Sequence, residues 1–426
     1  MAQFQSRTRL QIRQSIGRNI GNVIVSEATS TVDTTSLIDT LELSEYADDD
    51  LIGRQVMIYD AAGSIVDGEV SKVTDNAGST GDATCNAFTA SIADGDKYEM
   101  WDVFKIADVN DAIDQAIEKV SKGAQQKKQT TSAFTQSGIY EYNCLSGFNG
   151  VHTVEYVSSV GTEVEIDDCD SAWTAGTNAT VTADTTYKQE GSACNKIVIA
   201  SGASTSEVIA YNTFSALDLS GCDELEISIL STVALTAGYL QLRLDDTAGG
   251  GSAVESLAIP ATSANTQTRH KITLANPLSD TAIVRAEIYQ VTDVGACTIY
   301  IDYIKAVKST SRIHKELNPE QWFIVKGSTP YLGLTPSGLS VTGNPTLLRL
   351  TGYQNPSMLS ADSSTSEVNP DWVIAYCTGM LLMSHPKSSQ LKIPNRLQMA
   401  QWWLAEASKK EPSTRTQIAS NTKWVD

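Results

Sequence analysis

Basic residues and prolines are scarce in this sequence. Its 31 Lys and Arg residues face 50 Asp and Glu residues, so the formal net charge is −19 and the bulk of the surface would repel a polyanion such as DNA. Only 11 prolines occur among 426 residues, whereas Thr, Ser, Ala and Gly are abundant. This composition favours many short strands and turns over long helices, in a chain long enough for two to four domains.

Long apolar runs and metal-type cysteine spacing are also lacking. The longest strongly apolar run, residues 372–383, is too short to span a membrane and predicts a core helix, and the first 30 residues lack the apolar stretch of a secretion signal. Seven cysteines without a CxxC pair argue against a zinc ribbon or a redox site. Cys169 with Cys194, or Cys222 with Cys297, can meet across a sandwich, but reduced, buried thiols fit the odd count better.

Catalytic patterns are missing as well. The sequence contains no HExxH, GxSxG, Walker or GxGxxG motif, and the glycine run at 249–251 has no phosphate-binding lysine nearby. Four histidines are far apart and lack ligand spacing: His152, His270, His314 and His385. Carboxylate pairs for glycoside cleavage are indistinguishable from a generally acidic surface. We therefore expect a protein that is not an enzyme and needs no catalytic cofactor.

Helical periodicity marks the two ends of the chain and one segment between them. Ile12, Ile16 and Ile20 form one face of a short amphipathic arm over residues 1–22, capped at Gly21, which is expected to dock on another surface. An apolar stripe predicts a helix over 108–124 with Asp108 as its N-cap. In the C-terminal region, 354–426, one helix follows Asn369-Pro370 and a second follows Pro394, before an extended tail that is free to bind a neighbour.

The remaining segments have the short, alternating pattern of strands. Residues 23–160 are expected to form a β body, with six strands before the helix in a small barrel or an antiparallel sheet. Residues 310–353 return to this body, and the stretches 139–160 and 312–353 are expected to pair. Residues 161–309 would then be an insertion that folds as a two-sheet antiparallel β-sandwich. The expected fold class is mainly β with α-helical segments, an α+β architecture.

Both ends of the chain are more basic than its middle. Arg9 and Arg13 lie in an N-terminal stretch without acids, and residues 387–426 carry seven Lys and Arg against three acids. The pattern suits contacts with acidic partner proteins or locally with DNA, and it equally suits soluble helices with a solvated face. Arg9 and Arg13, with three C-terminal tryptophans, are the candidate interface residues: Trp402, Trp403 and Trp424.

The segments that flank the insertion resemble the head-to-tail adaptor (neck or connector) proteins of tailed phages. The resemblance rests on RLQIR at 9–13 and on a series of later segments: LIGRQVMIYDAAGSIVDGEVSKV, GDKYEMW, DVNDAIDQAI, LLRLTGYQNPSML and NPDWVIAYCTGMLLM. It implies a structural virion protein in the neck, assembled in the host cytoplasm. About twelve copies would form a ring between the portal and the tail proteins. Genomic DNA would pass through the acidic lumen without specific binding, and no membrane is involved.

The insertion resembles a carbohydrate-binding or galactose-binding-like jelly roll. The resemblance rests on IDDCDSAWTAG, YKQEGSACNKIVIA, FSALDLSGCDELEISIL and TIYIDYIKAV. It implies a structural calcium ion held by Asp168, Glu190 and Asp302, and weak glycan binding. The supply of stacking aromatics is thin: Trp173, Tyr187, Tyr211, Tyr239, Tyr300 and Tyr303. The sandwich is expected to project outward as a decoration. The alternative is a receptor-binding, glycan-binding or capsid-decorating protein, and a tail depolymerase has no support in the residues.

Overall fold

The computed structural model describes residues 5–343, 345–384 and 395–425. It divides the chain into two compact units, each assembled from segments that are distant in sequence. Unit 1 comprises 1–127 and 353–418, and unit 2 comprises 128–352 and 419–426. Within the described ranges the protein has five α-helices and several antiparallel sheets, so the expectation of a mainly β, α+β protein is confirmed.

The N-terminal part of unit 1 contains two helices and six strands. Their bounds are α1 (Arg9–Ile20), β1 (Val23–Glu27), β2 (Ser36–Ile38), β3 (Gln55–Asp60), β4 (Val70–Ala77), β5 (Asp82–Cys85), β6 (Lys97–Trp101) and α2 (Ile106–Ser121). The strands form one sheet in the order β1-β6-β3-β4-β5-β2. This agrees with the six strands expected before the helix.

Helix α1 belongs to the core of its own unit. Thr8 and Gln11 form a capping box at its start, and Gly21 ends it in the left-handed conformation. Ile12 and Ile16 are fully buried in an apolar cluster that includes residues of α2. The segment is therefore an integral helix of unit 1 rather than a free arm.

Helix α2 begins earlier than its apolar stripe predicted. Ile106 extends the buried stripe by one position, so the helix begins there and Lys105 is the N-cap residue. Asp108 lies in the first turn, where its carboxylate accepts a hydrogen bond from the backbone N–H of Lys105 at 3.2 Å. The assignment of Asp108 as the N-cap was wrong by three residues, although the carboxylate still stabilises the same helix end.

Unit 2 contains the insertion together with strands that precede and follow it in the sequence. We call these flanking strands the framework. The framework consists first of β7 (Gln126–Phe134), β8 (Glu141–Tyr142) and β9 (Gly150–Val160). The insertion follows with β10 (Glu163–Asp167), β11 (Thr174–Ala175), β12 (Ala179–Asp184), β13 (Cys194–Ile199), β14 (Glu207–Leu217), β15 (Glu224–Ser231), β16 (Leu240–Asp245), β17 (Glu255–Ala258), β18 (Thr268–Thr273), β19 (Ile283–Gln290) and β20 (Cys297–Val307). The framework resumes with β21 (Arg312–Glu316), β22 (Trp322–Val325), β23 (Tyr331–Leu334), helix α3 (Pro336–Thr342) and β24 (Leu347–Gln354).

The framework strands directly before and after the insertion pair with each other. Strands β9 and β21 pair antiparallel, with Val160 opposite Arg312, so the chain enters and leaves the insertion at adjacent positions. Strands β23 and β8 also pair. The expected pairing of 139–160 with 312–353 is thus confirmed at the level of strand ladders.

The insertion is a sandwich of two antiparallel sheets. The back sheet has the order β12-β13-β20-β15-β18 with β10 added on β20, and the front sheet has the order β11-β14-β19-β16-β17. Alternate apolar side chains of both sheets fill the space between them, including Ile227, Leu242, Ile288 and Ile299, each fully buried. Each such side chain contributes about 1.5–3 kcal/mol of burial free energy.

The C-terminal region contains α4 (Pro370–Ser384), α5 (Arg396–Lys410) and β25 (Lys423–Trp424). The residues that were expected to separate the two helices, including Pro386 and Pro394, lie outside the described residues. The tail is not free: Thr416 donates its backbone N–H to the carbonyl of Gly123 in unit 1, and β25 pairs with β9 in unit 2. The expectation of a free tail is therefore corrected: Val425 is buried, and its backbone N–H donates to the carbonyl of Asn149 at 2.8 Å.

The cysteines form no disulfide bonds. All seven cysteines carry free, buried thiols, so neither pair considered above is bonded. Among the described residues, no helix has both the length and the hydropathy required to cross a membrane.

Candidate functional site

The outer surface of the front sheet carries a stripe of tyrosine, arginine, carboxylate and amide side chains. We name this surface the Tyr–Arg face, and its members are Tyr211, Gln241, Arg243, Asp245, Arg285, Glu287 and Tyr289. All seven come from the three central strands of the sheet.

The alternation of side chains along the strands places these residues on one surface. Strand β19 turns Ala286 and Ile288 into the core, so Arg285, Glu287 and Tyr289 point outward. Strand β16 buries Leu240, Leu242 and Leu244 in the same way, so Gln241, Arg243 and Asp245 lie on the side away from the core. On this side Gln241, Arg243 and Tyr289 are partly exposed, whereas Asp245, Arg285 and Glu287 are covered by their neighbours. The same period that builds the core therefore builds the face.

The strand register brings the outward side chains into rows. Glu287 lies opposite Tyr211 on one side and opposite Arg243 on the other. Tyr289 lies opposite Gln241, and Arg285 lies opposite Asp245. Neighbours within a row are about 4.5–5.5 Å apart at Cβ, so the side chains can contact one another directly.

Two arginine–tyrosine stacks result from this register. The guanidinium carbon of Arg243 lies 3.2 Å from the ring centroid of Tyr289, and that of Arg285 lies 3.8 Å from the ring centroid of Tyr211. Both tyrosines are half-buried, so each ring retains exposed area. Cation–π contacts at partly desolvated sites contribute about 0.5–2 kcal/mol and keep the guanidinium group and the ring in contact.

Arg285 is fixed by carboxylate and backbone oxygens. Its Nη2 atom lies 2.9 Å from Oε2 of Glu287, and Nη1 donates to the carbonyl of Ala248 at 3.0 Å. Burial acts to raise the pKa of Asp245, but hydrogen bonds from Thr247 and Ser252 and the charge of Arg285 lower it overall. Arg285 thus lies beside the carboxyl groups of both Glu287 and Asp245.

A glycine-rich turn forms a wall at one end of the face. Asp245 accepts hydrogen bonds from both the backbone N–H and the hydroxyl of Thr247, which begins the turn between β16 and β17. Gly250 has a φ of +70°, and a Cβ atom at that position would lie 2.9 Å from the Arg285 guanidinium carbon. Only glycine permits this close approach without strain.

Arg243 has a different set of partners from Arg285. Its Nε atom donates to Oε1 of Gln241 at 3.1 Å. Among the residues that the structure describes, no carboxylate lies within ion-pair distance of Arg243. Among the described residues, Arg285 therefore has an ion-pair partner on this face and Arg243 has none.

Two of the three acids predicted to hold calcium, Glu190 and Asp302, lie close together. Glu190 binds the guanidinium of Arg269, and its backbone N–H donates to Oδ2 of Asp302 at 3.0 Å. Burial raises the pKa of Asp302. Asp168 closes a local turn by accepting the backbone N–H of Asp170. The structure thus brings together Glu190 and Asp302, and its described part contains no group of three or more His, Cys, Asp or Glu side chains suited to a metal ion.

The predicted N-terminal interface residues take part in an internal ion network in unit 1. Arg13 is fully buried and contacts Glu99 at 2.9 Å and Asp362 at 2.7 Å. Arg9 reaches the same Asp362 at 2.9 Å. Burial acts to lower the pKa of Arg13, but Asp362 and Glu99 raise it overall. Both arginines thus tie α1 to its own unit.

The predicted C-terminal interface residues are more exposed. Trp402 is 55% exposed and packs edge-on against the half-buried Trp403 in α5, at 4.8 Å between ring centroids. Trp424 is 43% exposed on the final strand of unit 2. Trp372, by contrast, is buried and stacks on Tyr376.

The aromatic residues of the sandwich are not all in the positions that the sequence suggested. Trp173 is buried, and its indole N–H donates to Asp167 at 3.0 Å, so it offers no stacking platform. Tyr300 lies on the outer side of the back sheet against Tyr187, at 4.4 Å between ring centroids. Tyr289 was missed, although the alternation Arg285-x-Glu287-x-Tyr289 on one strand was a signal that could have identified it.

Comparisons with known proteins give similarity to solved structures alone. Neither a protein-family model nor a curated protein sequence matches the chain. The family 11 carbohydrate-binding module of a cellulosomal cellulase of Clostridium thermocellum is 14% identical, with a TM-score of 0.28, over 36% of this chain and 97% of that chain. A family 30 carbohydrate-binding module is 14% identical, with a TM-score of 0.27, over 38% of this chain and 95% of that chain. An exo-beta-agarase structure is 11% identical, with a TM-score of 0.28, over 35% of this chain and 25% of that chain. Structural neighbours of the chain thus include carbohydrate-binding modules with a β-sandwich fold.

Proposed function

We propose that the inserted sandwich is a glycan-binding module and that its ligand lies along the Tyr–Arg face. The observation that carries this proposal is the pair of arginine–tyrosine stacks, set on either side of Glu287 on one sheet surface. A sugar ring presents apolar C–H groups on its faces and hydroxyl groups at its edge. Aromatic rings suit the faces, and charged or amide side chains hydrogen-bond the edge.

The back sheet is less suited to this role, because its β18 side anchors the sandwich to the framework of unit 2. Lys271 donates to the hydroxyl of Thr131 at 3.1 Å, and the guanidinium of Arg269 lies 5.4 Å from the ring centroid of Phe134. Glu226 binds both Arg269 and Arg312 from a nearly buried position. Truncating one partner of such a network costs about 3–5 kcal/mol, so these side chains hold the sandwich in position.

Affinity electrophoresis of the full chain in gels that contain soluble polysaccharides tests the proposal. Tyr289→Ala and Tyr211→Ala each remove one platform and should weaken binding at least tenfold, about 1.4 kcal/mol. Tyr187→Ala is the matched control, since Tyr187 is an exposed aromatic residue packed on the back sheet. Equal retardation of all three variants and the wild-type chain would place the glycan elsewhere, and no retardation by any polymer would remove the proposal.

We also propose that the whole chain is a non-enzymatic component of a tailed-phage particle, a head-to-tail adaptor in the neck. This proposal is supported by the resemblance of the flanking segments and by exposed apolar side chains on α4 and α5 of unit 1: Met380, Met383, Leu397 and Trp402. Copies would form a ring between portal and tail proteins, and the sandwich would present its face outward to a glycan.

Native mass spectrometry of the chain, alone and mixed with a portal protein, tests this second proposal. A ring of about a dozen copies is expected, alone or only with the portal. Trp402→Ser should weaken it, whereas Phe323→Ser, a matched change at an exposed aromatic residue of unit 2, should not. A monomer or trimer indifferent to the portal would contradict the adaptor.

A further inference from the structure

We infer that the glycan bound by the Tyr–Arg face is acidic and that Arg243 receives its carboxylate. This inference rests on the proposed function of that face and names the chemical class of its ligand. The starting observation is the difference between the two guanidinium groups of the face. Arg285 lies beside Glu287 and Asp245, whereas Arg243 has no carboxylate within ion-pair distance among the described residues.

Arg243 lies in a strongly acidic domain. The sandwich carries 19 acids and 8 bases between residues 161 and 309, in a chain of net charge −19. In so acidic a domain, a half-buried guanidinium without an acid partner is electrostatically incomplete. A ligand carboxylate would give Arg243 the acid partner that Glu287 and Asp245 already give Arg285.

The geometry of Arg243 leaves the correct atoms for a carboxylate. Its guanidinium plane rests on Tyr289 at 3.2 Å, and its Nε donates to Gln241. These two contacts fix the orientation of the group, and its hydrogen bonds within the described residues use Nε alone. The two Nη groups remain as a paired donor, and such a fork matches the two oxygens of a carboxylate.

Gln241 and Tyr289 are positioning residues for this fork. Strand pairing sets Gln241 directly opposite Tyr289, and Arg243 reaches both from the next outward position on β16. A neutral glycan could accept hydrogen bonds from the same Nη groups, but it would cover the guanidinium without neutralising it. Covering an unpaired charge is unfavourable, so selection for an acidic sugar follows.

Affinity electrophoresis of the full chain tests the inference with matched polymers. The probes are polygalacturonate, alginate and hyaluronate, each beside its carboxyl-reduced form, in which the acid has become a neutral alcohol, and a sulfated galactan. We expect at least one uronate polymer to bind at least tenfold more tightly than its reduced form. Arg243→Gln should abolish that preference, whereas Lys188→Gln, an equal loss of charge at an exposed residue of the same domain, should retain it.

The alternative outcomes separate this inference from the proposal beneath it. Binding of reduced and acidic polymers with equal affinity, still lost in Tyr289→Ala, would overturn the acidic ligand and leave the glycan face intact. Preference for the sulfated galactan, lost in Arg243→Gln, would overturn the carboxylate. No binding of any polymer by the wild-type chain would overturn both.

Discussion

Asp280 and Glu255 form a pair of carboxyl groups buried within the sandwich. Asp280 is fully buried, Glu255 is 1% exposed, and Glu255 accepts the backbone N–H groups of Ala275 and Asn276. Burial and the neighbouring charge of Glu255 raise the pKa of Asp280 to about 7. Asp280 therefore keeps its proton in the folded chain over a range where an exposed aspartate is ionised.

This raised pKa makes the stability of the sandwich depend on pH in a defined direction. The folded state holds the proton of Asp280 up to about pH 7, whereas the unfolded state releases it near the ordinary value of 3.8. The stabilisation by the proton retained on Asp280 is fully present below pH 4 and is lost as the pH rises to 7. At about 1.4 kcal/mol per pH unit, and allowing for relaxation of the site, the loss is about 2–4 kcal/mol.

Asp280→Asn tests the raised pKa because an amide keeps the shape of the side chain and stays uncharged at every pH. Urea unfolding of the full chain from pH 5 to pH 8 should show the variant gaining on the wild-type chain by about 1.5–2.5 kcal/mol, because this range covers about two pH units of the interval between the two pKa values. Asp246→Asn, at an exposed carboxylate of the same domain, is the control and should show no such trend. A gap between Asp280→Asn and wild type that stays constant with pH would contradict the raised pKa of Asp280.

Three further predictions concern other parts of the chain. Gly250→Ala places a Cβ atom 2.9 Å from the Arg285 guanidinium at a φ of +70°, so it should cost about 1–2 kcal/mol in thermal unfolding and weaken glycan binding; an unchanged melting temperature would argue against the close approach. Arg13→Met leaves Glu99 without its ion-pair partner and Asp362 with Arg9 alone, and it should destabilise unit 1 by about 3–5 kcal/mol in chemical unfolding, with Arg18→Met, at an exposed arginine of the same helix, as the neutral comparison. Burial raises the pKa of Cys85, Cys144 and Cys194 each to about 12, so a thiol reagent at pH 8 should leave the folded chain unmodified and react with seven thiols after unfolding; rapid reaction of the folded chain would contradict their burial.

The sequence carried the local signals of the fold more clearly than its long-range contacts. Gly21 ends α1 as its position predicted, because a left-handed cap is a local property. The position of the tail depends on a long-range contact: β25 pairs with β9, about 270 residues earlier in the sequence, and the adjacent Val425 is buried. Arg13 was assigned to a partner surface for the same reason, since its acid Asp362 lies far away in the chain.

In the candidate site, too, local signals could be read from the sequence and long-range contacts could not. Tyr211 was named from the sequence as a possible stacking residue, but its neighbours Arg285 and Glu287 become visible only when β14 and β19 are placed in register. A period of two on a single strand shows which residues share a face. It does not show which strands are adjacent, and the candidate face requires three strands at once.

A glycan array probed with the full chain, beside the Tyr211→Ala/Tyr289→Ala double variant, tests the central claim most directly. The wild-type chain should bind a set of glycans and the double variant none of them, while Tyr187→Ala should retain the wild-type pattern. Retention of the wild-type pattern by the double variant, or an array without any bound glycan, would contradict the claim that the front sheet is a glycan-binding face.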